Sequence, residues 1–166
     1  SFNASGALMD PKYKKGVFDG EVAYICGEIA GSTATNANCT ANVGGNQIAR
    51  TSNKQFSVGS SWDIPEILTN VDGYLRADYS WQSSKYSTGM NLQEQGAISL
   101  VNARAGIKYG NFELAIWAKN LMDRKYVSRS SVVASTVDGG PLSGVSYTRV
   151  YPGERRTIGA DLSVKF

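Results

Sequence analysis

The chain contains no histidine, and that absence removes a large share of known chemistry. Without an imidazole, neither a Ser-His-Asp nor a Cys-His engine can assemble. Only two cysteines are present, so a zinc site with its usual ligand set is also unsupported. No apolar run comes near the ~20 residues a membrane-crossing helix needs. Charge of one sign is scarce too: 17 Lys and Arg stand against 14 Asp and Glu, a net +3 with no basic stripe. A nucleic-acid partner is therefore not expected. Helical periodicity never lasts beyond two turns, and Pro65-Glu66-Ile67-Leu68 makes one turn at most. The four prolines, Pro11, Pro65, Pro141 and Pro152, read as punctuation between strands. Asp72, Asp78, Glu113 and Asp161 fall on polar faces, but nothing pairs two carboxylates at a catalytic separation. Gly44-Gly45 reads as a loop turn, not a phosphate cradle. No enzymatic activity, cofactor or metal is expected.

What is present is alternation. Phe56, Val58, Ser60, Trp62 and Ile64 share one face, as do Val71, Gly73, Leu75, Ala77, Tyr79 and Trp81 in the next run. Val101, Ala103, Ala105, Ile107 and Tyr109 follow, then Phe112, Leu114, Ile116 and Ala118, and last Ile158, Ala160, Leu162, Val164 and Phe166. With Phe2 to Leu8 this makes about six strands, many near the ~9–11 residues that span a bilayer when tilted. Opposite faces carry Asp72, Tyr74, Arg76 and Asp78, of which Asp72, Arg76 and Asp78 are expected to bond across the sheet, and Asn102, Arg104 and Lys108.

One hairpin is legible residue by residue. Gly110-Asn111 suits a type II′ turn with Gly first. It sets Tyr109 opposite Phe112, Ile107 opposite Leu114, and Lys108 opposite Glu113 as an opposite-charge pair. A one-residue slip would scramble both faces.

The connections alternate long and short: 10–50, 63–70, 83–96, 110–111, 128–145. Tight turns at one rim and long loops at the other are the pattern of a transmembrane β-barrel. Trp62, Tyr109, Phe112 and Phe166 fall toward the tight rim. Tyr79, Trp81, Tyr86, Tyr126, Tyr147 and Tyr151 fall toward the loops, as interfacial girdles do. Ser1 opens on alternation without a leader, which suggests upstream sequence. Cys26 and Cys39 share the first long loop. In an exported protein they would close a disulfide worth roughly 3 kcal/mol in the chain-entropy model.

Two tail segments are more specific. Asn120-Leu121-Met122-Asp123-Arg124-Lys125-Tyr126 resembles the N-L-x-D-x-x-Y signature of TonB-dependent outer-membrane receptors. Pro152-Gly153-Glu154-Arg155-Arg156-Thr157 and the run to Phe166 resemble that family's last strand. Gly44 to Arg50 is similar to its G-N-x-L stretch, with Arg50-Thr51-Ser52 where Pro-Lys is usual and Arg155 where many relatives have proline. In strand terms, a β-bulge near Lys119-Asn120 would turn Asn120 inward and Leu121 outward. Asn120, Leu121, Asp123, Tyr126 and Arg156 are accordingly expected to be structural.

The resemblance implies an antiparallel, up-and-down transmembrane barrel segment of about six strands. Residues 1–166 would be the C-terminal portion of a 22-stranded barrel domain whose plug lies outside the chain. It implies a multi-pass location in the Gram-negative outer membrane, bathed in lipid and lipopolysaccharide. The function would be active uptake of a scarce ligand, such as an iron–siderophore complex or cobalamin, energised by the TonB complex. Leu162, Val164 and Phe166 would form a signal for the barrel-assembly machinery. The residues that touch ligand stay unassigned. Two alternatives stand beside this one. A complete 8-stranded small barrel with a structural or adhesive role needs Val17 to Ile29 and the stretch from Asn46 onward as an added hairpin. A secreted β-sandwich needs the apolar face covered by a second layer.

Overall fold

The computed structural model describes residues 1–19, 41–134 and 146–166. Its centre is a six-stranded antiparallel sheet running in chain order. The strands are β1 (Phe2–Leu8), β4 (Lys54–Leu68), β5 (Val71–Gln82), β8 (Ile98–Tyr109), β9 (Phe112–Lys119) and β12 (Thr157–Val164). Three small two-stranded ribbons sit in the connections. They are β2 (Phe18–Asp19) with β3 (Ala41–Asn42), β6 (Lys85–Tyr86) with β7 (Glu94–Gln95), and β10 (Val127–Ala134) with β11 (Ser146–Pro152).

Register keeps the two faces apart across the whole sheet. Phe56 pairs with Trp81, Trp62 with Leu75, and Ile107 with Leu114, which in turn faces Leu162. The apolar face is bare: Leu114 is 46% exposed, Ile116 60% and Leu162 71%. No second layer, such as a sandwich needs, lies over it among the described residues. Phe56 anchors an aromatic group on this face, with ring centroids 5.6 Å from Tyr79 and 5.4 Å from Trp81.

The Gly110-Asn111 hairpin forms in the expected register, with Gly110 at φ 53. The other tight turn, Thr69-Asn70, places Asn70 at φ 61. Both turns lie at one end, and the long connections lie at the other. Pro65 departs from expectation. It falls inside β4, where the pairing breaks between Ile64 and Leu68 and Glu66 adopts φ 50. A bulge accommodates the missing N–H, so no helical turn forms there.

The barrel expectation fails. Closure requires the first strand to hydrogen-bond to the last, but among the described residues β1 pairs only with β4 and β12 only with β9. Among the described residues the sheet is open, with both edges unpaired, and no strand completes an 8-stranded ring. The transmembrane β-barrel assignment, and the multi-pass outer-membrane location drawn from it, are corrected to an open antiparallel sheet with one exposed apolar face. Among the described residues, no helix is long and apolar enough to cross a membrane.

Candidate functional site

The polar face divides into two zones. In the half toward the tight turns, side chains from three neighbouring strands converge on Arg104 of β8. Its Nε donates to the Tyr74 hydroxyl at 3.0 Å, and its Nη1 donates to Asp161 at 2.6 Å. Tyr74 donates onward to Glu113 at 2.7 Å, and Trp117 Nε1 donates to Asp161 at 3.2 Å. Each of these side chains has a protein partner, although the cluster is only partly buried.

Two rings make the cluster possible by lying over glycines on adjacent strands. Tyr74 faces Gly106 across the ladder, and Trp117 faces Gly159. A Cβ on Gly106 would come within 2.6 Å of the Tyr74 ring, and one on Gly159 would run into Trp117. Here glycine is required by close approach, not by dihedral freedom.

Alternation had put these charges on one face but not in one group. Lys108 stands opposite Glu113, yet Glu113 takes Tyr74 as its hydrogen-bond partner, while Lys108 lies over the Tyr74 ring. Arg76 bonds Asp78 on its own strand at 2.8 Å, not across the sheet, and Asp72 accepts from the Glu66 N–H. Working the register through β5, β8, β9 and β12 would have revealed the cluster.

The second assembly joins the two tail segments. β9 stops at Lys119, and Asn120 turns the chain with φ 46 in place of a bulge in the ladder. Asn120 is 4% exposed. Its Nδ2 donates to the carbonyls of Arg124 and Glu154, and its Oδ1 accepts from the Arg124 N–H, all at 2.9 Å. Its own N–H donates to Asn102 Oδ1 at 3.0 Å, and the Leu121 N–H donates to the Val101 carbonyl at 2.8 Å. Leu121 joins Leu75, Ile116 and Ile158 in lining a shallow apolar hollow.

Asp123, at φ 50, receives Nε and Nη2 of Arg155 at 2.8 and 2.5 Å, and the Arg156 N–H at 3.1 Å. The Arg155 side chain, then the Arg156 N–H, hold the Asp123 carboxyl well below its ordinary value; Asp123 in turn raises Arg155. Arg156 contributes its backbone here, and the side-chain partner is Arg155. The Tyr126 ring covers Gly153, whose N–H donates to the Tyr126 carbonyl at 2.8 Å. Asn120, Asp123 and Tyr126 thus clip the end of β9 to the approach of β12.

The remaining sequence candidates do not join a site. Leu162 and Val164 lie on the bare face of β12, and Phe166 beyond it is fully exposed. Cys26 and Cys39 lie outside the described residues, so the disulfide is not placed. Among the described residues no group of His, Cys, Asp and Glu is arranged to hold a metal.

At the loop end of the polar face lies a hollow of about 580 Å³, bordered by β1, β4, β5, β8 and Tyr126. Sequence reasoning missed it, because its residues are ordinary serines and glutamines with no motif spacing.

An open antiparallel meander with one apolar face, one hydrogen-bonded polar face and loops gathered at one end defines the fold class. Its structure is similar to that of the siderophore receptor PiuA from Acinetobacter baumannii. The TM-score is 0.54 at 15% identity, over 79% of this chain and 16% of that receptor. The likeness is one of fold and covers only a small part of the receptor's length. No protein-family model matches the chain, and no curated protein does.

Proposed function

We propose that the chain is a C-terminal portion of a ligand-uptake receptor of the TonB-dependent class. Such a receptor captures a scarce small molecule, a ferric siderophore or cobalamin being the type, and is driven by the TonB complex. It works by binding and release without covalent chemistry. The TonB contact belongs to parts of the receptor outside this chain.

The observation that carries the reading is the clip at the end of β9. Two segments that resemble the family's tail motifs are well separated in sequence, with Asp123 and Arg155 32 residues apart and Asn120 and Glu154 34, yet they meet through Asn120, Asp123 and Tyr126. They do so in a sheet whose fold resembles that of a siderophore receptor. Fold likeness alone does not assign function, so the motif geometry is what narrows the reading.

The test is genetic. The source cell loses the gene encoding this chain, and uptake of radiolabelled ferric chelates, cobalamin and oligosaccharides is compared with the parent. Loss of one ligand's uptake, reproduced when TonB is deleted instead, is the expected result. Unchanged uptake of every ligand, or uptake indifferent to TonB, would overturn the proposal.

A further inference from the structure

The hollow at the loop end differs in kind from the Arg104 cluster. Two cross-strand rows floor it: Ser5, Ser57 and Ser80 in one, Gln55 and Gln82 in the other. Strand spacing sets neighbours in a row about 4.8 Å apart. Ile98 and Leu100 continue the rows onto β8 as an apolar strip, and Tyr126 stands at the border. Among the described residues, no Asp, Glu, Lys or Arg lines it.

The rows also hold free hydrogen-bonding capacity. Ser5 and Ser57 share one bond between hydroxyls at 2.8 Å, and Ser128 is engaged with the Tyr151 and Pro152 carbonyls. The side chains of Gln55, Gln82, Ser80 and Tyr126 make no hydrogen bond among the described residues, whereas every polar group around Arg104 has one. Two carboxamides, each both donor and acceptor, and several hydroxyls therefore face an open volume. A volume of 580 Å³ lies within the ~300–1,000 Å³ of small-molecule sites.

We infer that this hollow binds a neutral, polyhydroxylated ligand of the oligosaccharide class. A charged ligand would meet no counter-ion there and would lose hydration without compensation. A ligand of many hydroxyls needs partners that both donate and accept at close intervals, which the two rows supply. Its apolar C–H faces need a flat or aliphatic surface, which Tyr126 and Leu100 supply above the buried Ile98. The Tyr126 ring is held in place by its contact with Gly153, so it offers a fixed platform. The inference builds on the uptake reading for its direction, but binding is measured on the chain itself.

The full chain, kept in a polyoxyethylene detergent free of sugar headgroups, is titrated calorimetrically with maltotriose, N-acetylchitotriose and raffinose. Ferric citrate serves as the charged probe. At least one sugar is expected to bind with a Kd below about 1 mM, unchanged between 50 and 500 mM salt, since no ion pair is screened. Gln82→Leu and Ser80→Val each weaken that binding at least tenfold, and Arg76→Gln leaves it unchanged. Absence of binding by all three sugars at 10 mM overturns the inference. So does tighter, salt-sensitive binding of ferric citrate, although that outcome leaves the uptake reading intact. Sugar binding indifferent to Gln82→Leu and Ser80→Val places the sugar elsewhere and also overturns it.

Discussion

Replacing Asn120 tests the tail clip directly. Asn120→Ala deletes three hydrogen bonds of 2.9 Å at a position 4% exposed. Each is worth about 0.5–1.5 kcal/mol net, and two carbonyls lose their donor. Alanine also meets the left-handed backbone at φ 46 less readily than Asn, by about 1 kcal/mol. The sum is a loss of about 2.5–5.5 kcal/mol. In urea, with a slope of about 2 kcal/mol/M, the unfolding midpoint drops by about 1–3 M. Tryptophan fluorescence follows it, since Trp62, Trp81 and Trp117 all lie in the sheet.

Two companions separate the causes. Asn120→Gly keeps the backbone conformation and loses only the side chain, so it costs about 1 kcal/mol less than the alanine change. Asn120→Asp preserves shape but turns an oxygen toward two carbonyl oxygens. It is therefore at least as damaging as alanine at pH 7 and partly relieved in acid, where a protonated carboxyl donates one bond. An alanine variant within about 0.5 kcal/mol of the parent would refute the reasoning, because the side chain would then hold nothing together.

Asp123 governs an acid response. Its folded-state carboxyl is held below the ordinary 3.8, so its stabilising contribution is complete above that value and fades as pH falls through it. Unfolding midpoints of the parent should decline below about pH 5, while Asp123→Asn flattens that decline; parallel curves would remove the ion pair from the account. Gly159→Ala should destabilise the chain by about 1–2 kcal/mol, opposite to the usual gain for glycine in an open strand. Trp117→Ala added to it should erase that penalty, as urea titration of the double variant would show. Gly110→Ala, forced to φ 53, should cost about 1 kcal/mol, whereas Gly110→Asn should be nearly neutral. Thermal melts of the two decide it.

How much of this was legible in the residues depends on the range of the interaction. The Tyr109–Phe112 hairpin was readable because turn chemistry and face alternation act over a few residues and point to one register. The order of the six strands followed from loop lengths. Closure did not: whether Phe2–Leu8 meets Thr157–Val164 is a contact across the length of the chain, which no local pattern encodes. The β10–β11 ribbon was also missed, since Val127–Ala134 carries a Ser-Arg-Ser-Ser stretch that reads as loop. Asn120 and Asp123 were visible through their motif, but Arg155 was not. It stands where a proline was expected, and its fork on Asp123 depends on a register 32 residues away. The serine and glutamine rows left no signal at all until pairing set them side by side.

Arg104 bears on how the sheet avoids a wrong assembly. Face alternation punishes a slip of one residue but is blind to a slip of two, which returns every apolar side chain to its proper side. The guanidinium reads a different coordinate: Tyr74, Glu113 and Asp161, from three other strands, reach it in one alignment only. A strand displaced by a full pleat would keep its oily surface matched and still leave an acid or a base stranded. The cluster thus works as a checksum on the one error that hydrophobic patterning lets through.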